Sequence, residues 1–97
     1  MEFAVKIQSN DFSASEVRDV VGVALSNERS QAQIRRDHFA RLCQDFEIQY
    51  HLASDEFIRR FDSGELGDDV YLFDWFAAKR SLDLWQRRYQ ILSELTL

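Results

Sequence analysis

The sequence predicts an all-α protein: a long helical hairpin with a short connector helix, preceded by a candidate N-terminal strand. Three observations lead there. The 97 residues include no proline and only three glycines, Gly22, Gly64 and Gly67, two of them close together. Helix breakers are therefore concentrated at one place, whereas a sheet needs many turns. Apolar residues near the C-terminus recur at steps of three and four without a miss, and cap and stop residues frame a short helix just before them. Ninety-seven residues suit one domain, which buries roughly two-thirds of its unfolded surface. With 45% apolar and 30% charged residues the composition is globular rather than disordered. The eight Phe and two Trp supply either a core or the centre of an interface.

Residues 1–12 form the first element. Phe3, Val5 and Ile7 alternate with Glu2, Lys6 and Gln8, the period of a strand. A lone strand has no ladder partner in the chain. Three arrangements stay open: pairing with a copy of itself, pairing with a partner chain, or an extended arm without pairing.

A long helix is expected over 13–51. Ser13 and Glu16 fit a capping box, with Phe12 placed to staple onto Val17. Its apolar stripe is Val17, Val21, Leu25, Ala32, Phe39, Leu42 and Phe46, interrupted by Glu28 and Arg35. The stretch 26–37 is polar almost all round, so the helix either runs through or breaks there. The short helix is expected over 54–64, with Ser54 as N-cap, Asp55 and Glu56 at the favourable end of the dipole, and Gly64 as a left-handed C-terminal stop. Gly67, Asp68 and Asp69 then turn the chain, and Asp68 or Asp69 caps the last helix, 69–96. Its seam is Trp75, Ala78, Leu82, Trp85, Tyr89 and Leu92. Two long helices joined by a short one pack antiparallel. A seam this slender is expected to leave Trp75, Phe76 and Trp85 partly uncovered, so a homo-oligomer is expected, as a four-helix arrangement or through paired N-terminal strands.

The net charge is −5, and it is uneven. Between Gln44 and Phe76 nine acids face only Arg59 and Arg60, while the rest of the chain holds eight acids and ten bases. Direct nucleic-acid binding is not expected, because it rests on phosphate neutralisation. Arg29, Arg35, Arg36 and Arg41 make a modest basic patch, offset by Glu28, Asp37 and Asp45, without a helix-turn-helix signature. They suit pairing with acids on a facing helix or an adjoining subunit. One cysteine, Cys43, excludes an internal disulfide and fits a reduced thiol in the cytoplasm. No basic leader with an apolar stretch and no run of bilayer length is seen, so neither secretion nor a membrane partner is expected.

No metal or other cofactor is expected. His38 and His51 are thirteen residues apart, Cys43 is isolated, and Asp62, Glu65, Asp68 and Asp69 lack the spacing of a calcium loop. Nor is an enzyme expected. No nucleophile elbow is present, and although two carboxylates can meet in space, a slender hairpin offers little concavity for a substrate.

The densest constellation runs from Ser54 to Trp75. Helix caps, a glycine stop and a turn account for its architecture. Beyond them it mixes acids with closely spaced aromatics, as the anchors and polar rim of a protein interface do. The candidate partner-binding residues are Phe57, Arg60, Phe61, Glu65, Asp68, Asp69, Phe73, Asp74 and Trp75.

This stretch also carries a resemblance. Ser54, Glu56, Phe57, Arg60, Phe61, Gly64, Glu65, Leu66, Gly67, Asp68, Asp69, Phe73, Trp75 and Ala78 together resemble a group of small archaeal and cyanobacterial proteins regarded as antitoxin-like members of toxin–antitoxin gene pairs. The match spans roughly the C-terminal half, and the first half departs from the pattern. The resemblance implies a cognate toxin as partner. Many such toxins are ribonucleases with a basic cleft, which an acidic helical element can occupy in place of RNA phosphates. The alternative is a homo-oligomeric structural or scaffolding protein whose acidic surface only keeps it soluble.

Overall fold

The computed structural model describes residues 4–67 and 69–97. Among them three helices follow in order: α1 (Ala14–Tyr50), α2 (Ser54–Asp62) and α3 (Val70–Glu94). α1 and α3 form the hairpin, and α2 lies between them in the chain. The molecule measures 59 × 23 × 20 Å. At 1.5 Å per residue α1 alone is about 55 Å long and sets that length. The radius of gyration is 19.2 Å, against about 12.5 Å for a compact chain of this size.

α1 starts where the capping residues place it. The Ser13 hydroxyl oxygen accepts from the Glu16 N–H (3.1 Å) and donates to the Glu16 carboxylate (3.3 Å). The helix does not break within 26–37. Ala32 is buried there, and the Arg35 and Arg36 guanidinium planes lie over the rings of Trp85 (4.5 Å) and Tyr89 (4.3 Å). Arginine stems and planar heads thus fill the seam where apolar side chains are missing. Toward the tip the seam passes through Cys43, which is buried, whereas Leu42 stays 36% exposed. α1 ends at His51, the one non-glycine residue with positive φ (53°) among those described, and the Leu52 N–H turns back to the Glu47 carbonyl.

The α3 seam is the expected one. Trp75 and Ala78 are buried and Leu82, Trp85, Tyr89 and Leu92 half-buried. Trp75, however, is only 1% exposed and not left uncovered, because α2 folds over it; Phe76 and Trp85 are half-buried.

No strand forms among the described residues. Phe3 and its neighbours Met1 and Glu2 lie outside them, and Val5 and Ile7 are exposed. The arm bends where Ser9 and Asp11 bond each other: the Asp11 N–H donates to the Ser9 hydroxyl and that hydroxyl to the Asp11 carboxylate, both at 3.0 Å. Alternation alone makes no ladder when no second strand is at hand. Phe12, expected as a staple, remains 54% exposed.

Candidate functional site at the hairpin tip

α2 turns the end of the hairpin into a small aromatic core. It ends as expected, in a Schellman motif: the Glu65 N–H donates to the Arg60 carbonyl and the Gly64 N–H to the Phe61 carbonyl, with Gly64 at φ 81°. Its beginning differs from the expectation. Ala53, not Ser54, occupies the cap position and offers no side-chain bond. Ser54 is the first helical residue, and its N–H donates instead to the Glu47 carboxylate of α1 at 2.8 Å. The Ser54 hydroxyl is committed elsewhere: it accepts from the indole N–H of Trp75 at 2.9 Å in the buried interior.

Around Trp75 the rings are close to parallel. Phe57 stacks on it with centroids 3.9 Å apart and planes 3° from parallel, while Phe46 and Tyr50 of α1 lie at 5.7 and 5.4 Å. Phe61 extends the cluster outward, 5.6 Å from Phe57, 4.7 Å from Phe76 and 5.3 Å from Phe73. The chain of rings therefore runs from a fully buried centre to the half-exposed Phe73.

Charges clamp the same unit. Burial works against the Lys79 ammonium, yet its bonds to Asp83 (2.7 Å) and to Asp55 of α2 (3.1 Å) outweigh that and raise its pKa. Burial pushes the Cys43 thiol up, partly offset by its bond to Ser54 and by the nearby Lys79. Within α2, hydrogen bonds from Arg59 and then Arg60 hold the Glu56 carboxyl down at about 2. No buried side-chain nitrogen or oxygen among the described residues lacks a partner.

The sequence-derived site residues thus separate by burial into three groups. Phe57 and Trp75 are buried and form the interior support, so a partner touches neither without opening the tip. Phe61 and Arg60 are half-buried, Arg60 bonded to Glu56 at 3.0 Å. Glu65, Asp69, Phe73 and Asp74 are exposed, and Asp68 lies outside the described residues. Asp69 is the cap of α3, accepting from the Tyr71 N–H at 2.8 Å. The structure adds Val70 and Tyr71, 71% and 66% exposed. By phase Tyr71 continues the seam, four residues before Trp75 and seven before Ala78, so periodicity gave no signal for its exposure. The Glu47–Ser54–Trp75 link had none, since its members are far apart in the chain.

Among the described residues no carboxylate of Glu65, Asp69 or Asp74 has a cation within 4.0 Å; the ion pairs of the tip all involve Asp55, Glu56, Asp62 or Asp83. What the tip presents is three exposed acids without an ion pair, Glu65, Asp69 and Asp74, and the exposed rings of Tyr71 and Phe73, above a buried aromatic centre. No group of three or more potential metal ligands occurs among the described residues, and no helix among them is long and apolar enough to cross a membrane. The chain is a two-helix hairpin closed by an aromatic-cored connector helix. No known family, curated protein or solved structure matches it.

Proposed function

We propose that the chain is a non-enzymatic binding module that masks a cognate basic protein, in the manner of an antitoxin, with the acidic end of its hairpin. The observation that carries this reading is the set of unpaired, exposed acids Glu65, Asp69 and Asp74 beside half-exposed Phe73, all held by a tip whose own charges are already paired. Opposite charge steers the encounter, and the exposed rings supply the area that excludes water. A ribonuclease toxin, whose cleft is built for phosphates, is the partner class that the resemblance in 54–78 brings forward.

The test is capture of a tagged chain from its native cells at low salt, followed by affinity measurement on the recovered partner. A small basic protein in stoichiometric amount is expected. Glu65→Lys with Asp69→Lys should weaken that complex roughly 10- to 100-fold at low salt and less at high salt, as rim charges do. Unchanged affinity at low salt refutes the acidic masking surface.

A second reading, a homo-oligomeric scaffold, is favoured by a different observation. Val20, Ile34 and Ile48 on α1 and Leu84 and Ile91 on α3 are all about half exposed or more, a supply of apolar surface that the hairpin does not itself cover.

A further inference from the structure

We infer that two copies of this chain pack antiparallel through the hairpin face that α2 leaves bare, forming a two-fold dimer in which Asp74 of each copy pairs with Arg88 of the other. The inference deepens the scaffold reading, of whose exposed apolar residues this face takes up Leu84, and rests on that reading, not on the toxin.

α2 occupies one flank of α3 only. Its side chains reach Phe73, Phe76, Lys79 and Arg80, through Phe61, Asp55 and Asp62. With the seam at Trp75, Ala78, Leu82, Trp85, Tyr89 and Leu92, the heptad places Asp74, Ala77, Ser81, Leu84 and Arg88 on the other flank. All of these but the half-buried Ser81 are exposed. Arg35 of α1 and Arg88 of α3 both lie over the Trp85 ring, at 4.5 and 4.9 Å, which puts Arg35 on this same flank. Leu42 stands one heptad from Arg35, level with Ser81 across the seam.

The spacing on α3 is symmetric. Asp74, Ser81 and Arg88 are seven residues apart, so an acid and a base stand about 10.5 Å on either side of Ser81. A two-fold axis through the Ser81–Leu42 level, perpendicular to the hairpin, lays α3 on α3 of the second copy in antiparallel register. Each Asp74 then meets an Arg88, twice per dimer. Neither residue has an opposite charge within 4.0 Å in its own chain among the described residues. Small Ala77 and Ser81 allow close approach at the centre, and Leu42 and Leu84 supply its apolar contact.

A parallel arrangement would oppose acid to acid and base to base. A foreign partner would need to reproduce a spacing that a second copy carries already. The shared face is about 21 Å long by the roughly 20 Å width of the hairpin, the size of a weak, reversible interface rather than a permanent one.

The test is sedimentation equilibrium of the full chain and its variants between about 1 and 300 micromolar. Wild type should dimerise reversibly. Asp74→Arg alone and Arg88→Asp alone should each weaken dimerisation at least 10-fold, because each brings like charges together twice. An equimolar mixture of the two variants should restore a heterodimer, and the double variant in one chain should restore the homodimer. Arg87→Asp, the same charge change off the shared face, should leave it intact. Because Arg88 also lies over Trp85, Leu84→Lys serves as a second disruptor that keeps both charges, and circular dichroism confirms the fold of every variant. A wild type monomeric at 300 micromolar, single variants that dimerise as wild type, or a mixture that stays monomeric overturns the inference. Because Asp74 also belongs to the acidic masking surface, Arg88→Asp and Leu84→Lys, which leave Glu65, Asp69 and Asp74 in place, separate loss of the dimer from loss of toxin capture, and Glu65→Lys with Asp69→Lys tests capture alone.

Discussion

Replacing Ser54 with alanine removes one atom from the centre of the tip and tests how the tip is held together. The Ser54 hydroxyl accepts the Trp75 indole N–H at 2.9 Å, with both residues buried. In Ser54→Ala the bond of the residue 54 N–H to Glu47 survives, since it belongs to the backbone. What is lost is the acceptor of a donor that has no water to turn to, together with the hydroxyl's bond to the Cys43 thiol. An orphaned buried donor costs about 1–3 kcal/mol, and the better helix propensity of alanine returns about 0.5 kcal/mol, so a net loss of roughly 1–2 kcal/mol is expected. For a domain of this length that corresponds to a fall in Tm of about 5–10 °C. Trp75→Phe removes the donor together with part of the ring stack on Phe57, and should cost more. The double variant should cost less than the sum of the two by about 1 kcal/mol, because the hydroxyl no longer has a donor to miss. Urea unfolding followed by circular dichroism measures all four chains, and Trp85 remains as a fluorescent reporter in the Phe variants. A Ser54→Ala loss below about 0.5 kcal/mol, or strict additivity of the pair, refutes the buried bond as a support of the tip.

Two further predictions concern pH. Glu56 is held at about 2 by Arg59 and Arg60 against an ordinary value of 4.5, so its contribution to α2 is complete above pH 4.5 and is lost as pH falls through 2. A carboxyl titration by NMR should show that depression, and Arg59→Ala with Arg60→Ala should return the midpoint toward 4.5; a midpoint already near 4.5 in the intact chain refutes it. The Cys43 thiol and the Lys79 ammonium both have raised pKa values, from 9.0 and 10.5, so their contributions are full below those values and disappear as pH rises through the shifted ones. The urea midpoint should therefore decline from about pH 9 upward, and less steeply in Cys43→Ala; identical slopes would show that the thiol takes no part.

The parts of this fold that were legible in the sequence are those governed by local chemistry. The seam of α3 has an unbroken period, Ser13 and Glu16 sit at a helix start, and Gly64 takes the positive φ that its place after a short helix requires. Misreadings arose where a side chain acts against its usual class. Glu28 and Arg35 interrupt the apolar stripe and left the course of α1 open; the guanidinium groups of Arg35 and Arg36 cover aromatic rings, and the helix runs through. Cys43 rather than Leu42 takes the seam position, because the turn of the helix, not the size of the residue, decides which one faces α3. Ser54 has the residue type and position of a cap, yet a buried indole from α3 claims its hydroxyl. The arm at 4–12 alternates like a strand and finds nothing to pair with.

The same reasoning explains why the candidate site was only half legible. Composition shows that the stretch holds acids and aromatics, but not which aromatics a partner could reach. That depends on where α2 lies, and α2 is placed by long-range groups: the Glu47 carboxylate receiving its first N–H, Lys79 receiving Asp55, and Trp75 receiving Phe57. Once α2 is set down, the rings divide into those that stiffen the tip and those that stand on its surface, and the acids left without partners fall at its outer end. Stiffness matters to either reading of function, because a surface that is already ordered loses less entropy when it is bound. Asp74 lies on the flank opposite α2, whereas Glu65 lies in the turn after α2 and Asp69 caps the start of α3. Self-association and capture of a basic partner therefore share Asp74 but not Glu65 or Asp69, so a dimer would take one of the three acids from the masking surface and leave two.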